Sequence, residues 1–388
     1  MAEQRLGIAV VGCGGAVGTT MAAGIALLKQ NLIGTEGLPL AEHKVAGLVP
    51  YTDIIIAGWD LFADDLSKAA ETHEVLSYKQ HMAIVDELAA IRPWPAIGDE
   101  HFLSLIDGEN KLRAGGHRSV IEKLRSDLQR FREQCSSVVV INLASTEKLA
   151  TEGNELFNTL AGLERALDEN SADISPAILY AYAAIAEGVP YGNFTPSVAA
   201  DIPALVEFAE RERVPIAGKD GKTGQTFIKT VLAPALRSRA LHVDGWYSTN
   251  ILGNRDGLAL SNEDSLASKL KTKGSVLDDI LGYTIEDHIV DIRYYRPRGD
   301  DKEAWDNIDI RGFLGQRMQI KVNFLCKDSI LAAPLGIEIA RCLDLARRRG
   351  EGGIQEQLSV FFKLPMSSSS QPEHAFHKQE TMLLDWLG

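Results

Sequence analysis

Cysteine is scarce in this sequence. Four residues in 388, Cys13, Cys135, Cys326 and Cys342, are widely spaced and form no CxxC pair. That usage predicts free thiols in a reducing, cytoplasmic compartment. Basic charge is also short: 40 Lys and Arg stand against 53 Asp and Glu, a net charge of −13. A face-wide basic surface for nucleic acid is therefore not expected, and clustered lysines point to a small anionic ligand. No apolar run approaches the roughly 20 residues of a membrane span. The polar first residues run directly into a strand pattern, which predicts no signal peptide. The nine histidines form no HExxH, and the nearest pair, His374 and His377, follows SSSSQPE in a polar stretch that reads as tail before metal site. What remains is ordinary globular composition, 45% hydrophobic and 24% charged, long enough for two domains or for one large domain with an insertion.

The opening LGIAVVG is a short apolar, β-branched run, the pattern of a strand buried on both faces. GCGGAVG follows, then the apolar helix pattern TTMAAGIALLKQ. Gly12, Gly14, Gly15 and Gly18 let the backbone turn sharply and approach a pyrophosphate at a helix N-terminus. Their spacing, GxGGxxG, is one residue longer than the common dinucleotide fingerprint. A second strand, DIIIAGWD, ends at Asp60, where an acidic residue takes the ribose hydroxyls of NAD or caps the helix pattern LFADDLSKAAET. The strand SSVVVINLAS runs out at Ser145, Thr146 and Glu147, and SPAILYAYAAIAEGVPYGNFTP and ALVEFAERERVPIAGKD continue the alternation. This part reads as a doubly wound α/β domain.

From about residue 227 the pattern changes. The segments ALHVDGWYSTNIL, DHIVDIRYYRP and RMQIKVNFLCK read as strands; in the last, Met318, Ile320, Val322 and Phe324 alternate with polar residues, the mark of one covered face. At Asp328 the chain turns helical again, and three arginines and a glycine close that helix. Before it lies ASKLKTKGSVLDD, with Lys269, Lys271 and Lys273 crowded against a helix start at Ser275. Ser261 and Asp264 have the spacing of a capping box. If the segment is helical, Lys269 and Lys273 share a face; if extended, all three do. Positive charge crowded there is unfavourable without an anion. KTGQT supplies Thr223, Gly224, Gln225 and Thr226, hydroxyl, amide and backbone donors at another helix start, while RGDDK and FFKLP bring Lys302 and Lys363. Each of these taken alone is also compatible with solvated surface.

Taken in order, the glycine turn, GWD, SPAI…EGVPYGNFTP, GKDGKTGQT, NILGNRDG, SKLKTKGSVLDD, RPRGDDK, KDSILAAPL and FFKLP resemble the myo-inositol-1-phosphate synthase family over nearly the whole chain, in the compact form of its prokaryotic members. The resemblance implies an α/β fold: an NAD-binding Rossmann-like doubly wound domain, residues 1–226 and 329–388, and an α+β catalytic and tetramerisation domain with a mixed sheet, residues 227–328, inserted before the C-terminal return. It implies cyclisation of D-glucose 6-phosphate with NAD recycled, and leaves open the need for a mono- or divalent cation. By motif position it makes Lys269, Lys273, Lys302 and Lys363 the catalytic lysines: Lys269 and Lys363 at the C5 oxygen, Lys273 and Lys302 at the phosphate and C1 oxygen. Asp220, Asp256 and Asp328 match acidic positions at the cofactor, a cation or the lysines; Asp328 also reads as a helix cap. Gly12, Gly14, Gly15, Ala16, Val17, Asp60, Ser145 and Thr146 line up with cofactor contacts, and Thr223 to Thr226 with the substrate phosphate. Lys271 receives no role.

The sequence departs from the family at Ala16 and Val17, where many members carry asparagines, and at Phe227, Ile251 and Arg255. These departures put the exact sugar in question. A sister NAD-dependent cyclase acting on another hexose phosphate, such as fructose 6-phosphate, is the main alternative; a net nicotinamide oxidoreductase and a non-catalytic NAD-binding regulator are the others. The resemblance implies a homotetramer and a small-molecule sugar phosphate as partner.

Overall fold

The computed structural model describes residues 5–43, 45–103, 106–148, 154–253, 276–369 and 371–388. The apolar run Leu6–Val11 forms β1, buried along its whole length. The glycines turn it into α1, Ala16–Lys29. There follow β2, Ile54–Asp60, α2, Leu66–His73, β3, Trp94–Pro95, α3, His117–Arg132, and β4, Ser137–Asn142. Next come α4, Pro176–Ala186, β5, Tyr191–Asn193, α5, Pro203–Arg211, and β6, Pro215–Gly218. Helix α6, Gln225–Ser238, leads to β7, His242–Leu252, β8, Asp287–Tyr294, β9, Asp301–Arg311, and β10, Arg317–Lys327. The long α7, Asp328–Arg348, β11, Gly353–Ile354, and α8, Phe376–Leu387, complete the described elements used below.

Seven strands make one sheet in the order β11-β6-β5-β4-β1-β2-β3, every pairing parallel. Ala9, Val11, Val138 and Val140 face a core shared with α3 and α4. Ile8, Val10, Val139 and Ile141 face the opposite core, shared with α1 and with Ala333, Ile337, Ala340 and Leu343 of α7. Two covered faces explain why these strands are apolar on successive positions through their middle. The chain runs outward from β1 to β2 and β3, then restarts at β4 on the other side of β1. In such sheets ligands bind where the strand order reverses, beyond the carboxyl ends of the strands.

The second sheet has the order β10-β9-β7-β8. It is mixed: β7 and β8 are parallel, whereas β9 runs antiparallel to both its neighbours. Val243, Trp246, Ile308 and Ile310 pack on Ala233 and Leu236 of α6 and on Leu277, Ile280 and Leu281. The expected covered face of β10 is only half realised. Ile320 packs toward that core, but Met318 stays 45% exposed because β10 is the sheet edge.

Strand β9 is not legible in the sequence. Its inward row is Ala304, Asp306, Ile308 and Ile310, and the aspartate breaks the apolar alternation. Asp306 is tolerated because donors meet it: Trp246 Nε1 at 2.7 Å, Ser248 Oγ at 2.6 Å and Gln225 Nε2 at 3.2 Å. Two helix caps also differ from the sequence reading. Asp65, not Asp60, caps α2, accepting from Lys68 N at 3.1 Å. At α7 it is Asp300, not Asp328, whose carboxylate takes the Ser329 N–H and hydroxyl at 3.3 and 2.6 Å. The Ser261–Asp264 box and the helix start at Ser275 lie outside the described residues.

Gly58 fixes how closely β1 and β2 approach. A Cβ there would sit 1.9 Å from Val10 O and 2.6 Å from Val10 N. Backbone atoms in a paired strand cannot give way, so Gly58→Ala is expected to lower stability by more than about 3 kcal/mol, measured by urea unfolding. A loss below about 1 kcal/mol would show that the two strands can separate at this point.

Candidate active site

A cleft of about 420 Å³ opens at the strand-order reversal. Gly12, Gly15, Ala16, Val17 and Gly18 line one wall, Ser145 and Thr146 beyond β4 another. Helix α1 has Gly15 at its cap position and no side-chain cap, so its N-terminal backbone charge faces the cleft. Gly12 has φ +83, and a Cβ on Gly18 would fall 2.5 Å from Cys13 O; both positions need glycine. Asp60 lies in the same wall. Its Oδ2 accepts the Gly14 N–H at 2.9 Å and its Oδ1 the Phe62 N–H at 3.0 Å. His73 donates from Nε2 to Gly14 O at 2.9 Å, so both sides of the Gly14 peptide are held. Cys13 is buried there, and burial, with Asp60 beside it, keeps its thiol protonated.

The cations enter at the other end. A short two-stranded ribbon joins the end of β6 to residues 361–366: Lys219 N donates to Leu364 O at 2.7 Å, Lys363 N to Asp220 O at 2.7 Å and Lys222 N to Phe361 O at 2.8 Å. It sets Lys363 Nζ 2.6 Å from Asp220 Oδ1. Asp220 is held at φ +60, and its buried Oδ2 meets no donor among the described residues. Lys302, on β9, reaches Asp328 Oδ1 at 3.2 Å, and Thr223 Oγ1 reaches the same atom at 3.1 Å. Lys302, Lys363, Asp220, Asp328 and Thr223 all line the cleft. Gly224 lies beside Lys302, close enough that a Cβ would be 3.7 Å from Nζ. Gln225 and Thr226 are buried; the Gln225 amide is engaged with Asp306 at 3.2 Å and with Asn250. Asp256, Lys269, Lys271 and Lys273 lie outside the described residues.

Several charged groups escape sequence reading because only burial makes them notable. Glu147 lines the cleft; burial pushes its carboxyl up to about 7 although Ala177 N donates to it at 2.8 Å. Asp300 and Ser329 line it too, and burial raises the Asp300 carboxyl. Lys222 and Lys229 are only 4% and 2% exposed. They look like surface lysines in GKDGKTGQT and FIKTV, and no local pattern marks them otherwise. Of the tail histidines, His374 is buried and lies 3.6 Å from Asp279.

A glycine turn into an uncapped helix, at the reversal point of a parallel sheet, fits the diphosphate of a dinucleotide, and the orphaned Asp220 oxygen fits a ligand hydroxyl. The fold and the cleft thus define a dinucleotide-binding α/β protein whose cleft also holds two lysine–aspartate pairs. The NAD-binding family model described as myo-inositol-1-phosphate synthase matches residues 34–388. Inositol-3-phosphate synthase 1 of Bacteroides thetaiotaomicron is 44% identical over 100% of this chain and 95% of its own length. Inositol-3-phosphate synthase of Saccharomyces cerevisiae is 28% identical over 99% of this chain and 85% of its own. The crystal structure of inositol-3-phosphate synthase from Caenorhabditis elegans superimposes with a TM-score of 0.90 at 26% identity, covering 99% of this chain and 85% of that one. The chain belongs to the myo-inositol-1-phosphate synthase family, an NAD-binding family of enzymes.

Lys229 generates a stability prediction. Its Nζ lies 2.8 Å from His288 Nε2 and 5.8 Å from the Trp246 ring centre. Burial holds its ammonium down to about 8, against the opposing pull of Asp306. The unfolded value is about 10.4. Between those values the unfolded chain binds more protons than the folded one, so stability rises with pH through that window. Lys229→Met is expected to raise stability at pH 7 by roughly 1–3 kcal/mol and to reduce that slope, read by urea unfolding at about pH 7 and 10. An unaltered slope would exclude Lys229 as its source.

Proposed function

We propose that this chain converts D-glucose 6-phosphate to 1D-myo-inositol 3-phosphate. The sugar is oxidised at C5, loses a proton from C6, closes by attack of the C6 enolate on C1, and is reduced again at C5. The observation that carries this reading is the meeting of two lysine–aspartate pairs, Lys302–Asp328 and Lys363–Asp220, with the glycine turn in one cleft. NAD, when bound, supplies the oxidising and reducing capacity and leaves no net NADH.

The chain's own residues handle protons and charge. Lys269 removes the C5 hydroxyl proton, and Lys363 shares the developing oxyanion with it. Lys273 and Lys302 hold the phosphate and the C1 oxygen, where an alkoxide forms on ring closure. Thr223 adds a hydroxyl, and the backbone N–H groups of Gly224, Gln225 and Thr226 at the start of α6 add neutral donors around the phosphate, the Gln225 amide being committed to Asp306. Asp220, Asp256 and Asp328 orient the lysines and face the cofactor. A carboxylate beside a lysine keeps it charged, so release of the Lys363 ammonium from Asp220 frees it to serve the sugar oxygen. Gly12, Gly15, Ala16 and Val17 cradle the diphosphate while Gly14, held by Asp60 and His73, keeps the shape of the turn; Asp60 takes the adenosine ribose, and Ser145 and Thr146 flank the nicotinamide end.

In this reading residues 1–226 and 329–388 bind the cofactor and residues 227–328 complete the sugar site and the assembly. The outer face of the small sheet leaves Ile289 and Leu325 49% and 59% exposed beside Tyr247 and Trp305, apolar area that suits burial in a homotetramer. A mono- or divalent cation, if taken up by Asp220, Asp256 or Asp328, would supply charge neutralisation for the alkoxide of the aldol step. The reaction takes place in the cytoplasm, where the four thiols stay reduced.

Product analysis after incubation with glucose 6-phosphate and, separately, fructose 6-phosphate tests the reading. A cyclitol phosphate is expected from the first; its absence overturns the proposal. Lys269→Ala and Lys363→Ala are each expected to retain NAD binding while turnover falls by at least about 10²-fold. Near wild-type turnover in either variant removes that lysine from the chemistry, and steady accumulation of NADH absorbance in the wild type contradicts a recycled cofactor.

A further inference from the structure

Lys222 stands one residue before Thr223 but points away from the cleft. Its side chain is 4% exposed and donates to Gln379 Oε1 of α8. The Phe376 ring lies 5.4 Å from its Nζ. Gln379 is itself fully buried and fixed from the other side, its Nε2 donating to Glu373 O at 2.6 Å. Phe376 is braced edge-on by Phe227 of α6 at 5.3 Å. Neither partner carries negative charge.

The surrounding ionisable groups are engaged elsewhere. Asp279 faces His374 at 3.6 Å. Glu373 takes Lys378 at 2.9 Å. Lys229 of α6 bonds to His288, and Asp220 on the ribbon bonds to Lys363. Burial alone acts on the Lys222 ammonium, holding it down to about 7. His374 nearby is likewise held down, first by burial, with Lys222 adding to the effect against Asp279 and Glu373.

Among the described residues the charge therefore meets no counter-charge, and it is dry. By covalent reach its Nζ lies within roughly 13 Å of the Thr223 hydroxyl, and a buried charge is screened by salt much less than an exposed one. We propose that Lys222 is a positioning residue for the phosphate end of the site: its buried ammonium, held by Gln379 and Phe376, supports anion binding from behind Thr223 and makes that binding depend on proton concentration. The inference rests on the sugar-phosphate reading above. It gives α8 a task as well, because that helix supplies both the uncharged acceptor and the ring that keep the lysine dry.

The test is calorimetric titration of the NAD-loaded protein with inorganic phosphate across pH 6 to 9, beside KM and kcat for glucose 6-phosphate. In the wild type, phosphate affinity falls as pH rises through neutrality. Gln379→Glu keeps the lysine and the side-chain volume but supplies a carboxylate, so the fall moves up by about one pH unit or more. Lys222→Met abolishes the fall and weakens phosphate binding and KM about 10-fold, with kcat within about 3-fold. Affinities are expressed for the phosphate dianion, which removes phosphate's own second ionisation, itself near neutral pH, from every curve. A Gln379→Glu curve that superimposes on the wild type overturns the proposal, and so does a Lys222→Met curve that keeps the fall. Should Lys222→Met fail to fold, Gln379→Glu still decides. Failure of the wild type to make a cyclitol overturns the functional reading instead, while the phosphate titration continues to decide Lys222.

Discussion

The Lys363–Asp220 pair in this cleft depends on the backbone ribbon that zips residues 218–222 to 361–366. Hydrogen bonds from Lys219, Lys222, Lys363, Leu364 and Met366 to the facing strand tie together segments far apart in the chain. The ribbon holds Asp220 in a left-handed conformation, which a non-glycine residue keeps only when its surroundings over-determine it. With that backbone fixed, Asp220 and Lys363 meet at 2.6 Å, and Lys222 on the same ribbon is sent the opposite way into the packing of α8. One local constraint thus assigns one lysine to the cleft and another to the interior behind it.

The charge arrangement follows from desolvation. A net charge of −13 gives the protein no general attraction for anions, so affinity has to be local. Lys302 and Lys363 are only 14% and 12% exposed and each has an aspartate in reach. Breaking such a pair strands a charge in poor solvent, whereas a ligand anion arriving between the partners replaces one negative group by another. Each aspartate therefore holds its lysine in place at the cleft. The glycine turn presents an uncapped helix N-terminus, with backbone dipoles instead of side-chain charge, and Asp60 braces it by accepting from Gly14.

The parallel sheet was legible because strands covered on both faces are apolar on successive positions, as LGIAVV and the VVVI of SVVVIN are. The mixed sheet was legible wherever its rows alternate cleanly. Strand β9 was lost because Asp306 interrupts its inward row, and a buried carboxylate is readable only once Trp246, Ser248 and Gln225 are seen to meet it. The helix caps failed for a related reason. Asp60 and Asp328 have the right residue type in the right place, but each is drawn to a partner distant in sequence, Gly14 and Lys302 respectively, and Asp65 and Asp300 cap the helices instead.

Taken by itself, the sequence determined the turn that needs glycine, the alternation of strand and helix, the family, and which residue types stand ready for an anion. Those are local properties, written in spacing and periodicity. Tertiary structure alone decided what each charge is worth. GKDGKTGQT presents Lys219 and Lys222 as equals, yet folding leaves one in a 2.6 Å pair with Asp201 and buries the other against an uncharged amide and a ring. The energy of an ammonium depends on the water and counter-charges around it, and those come from elements as far away as α8, which no local pattern in the chain can foretell.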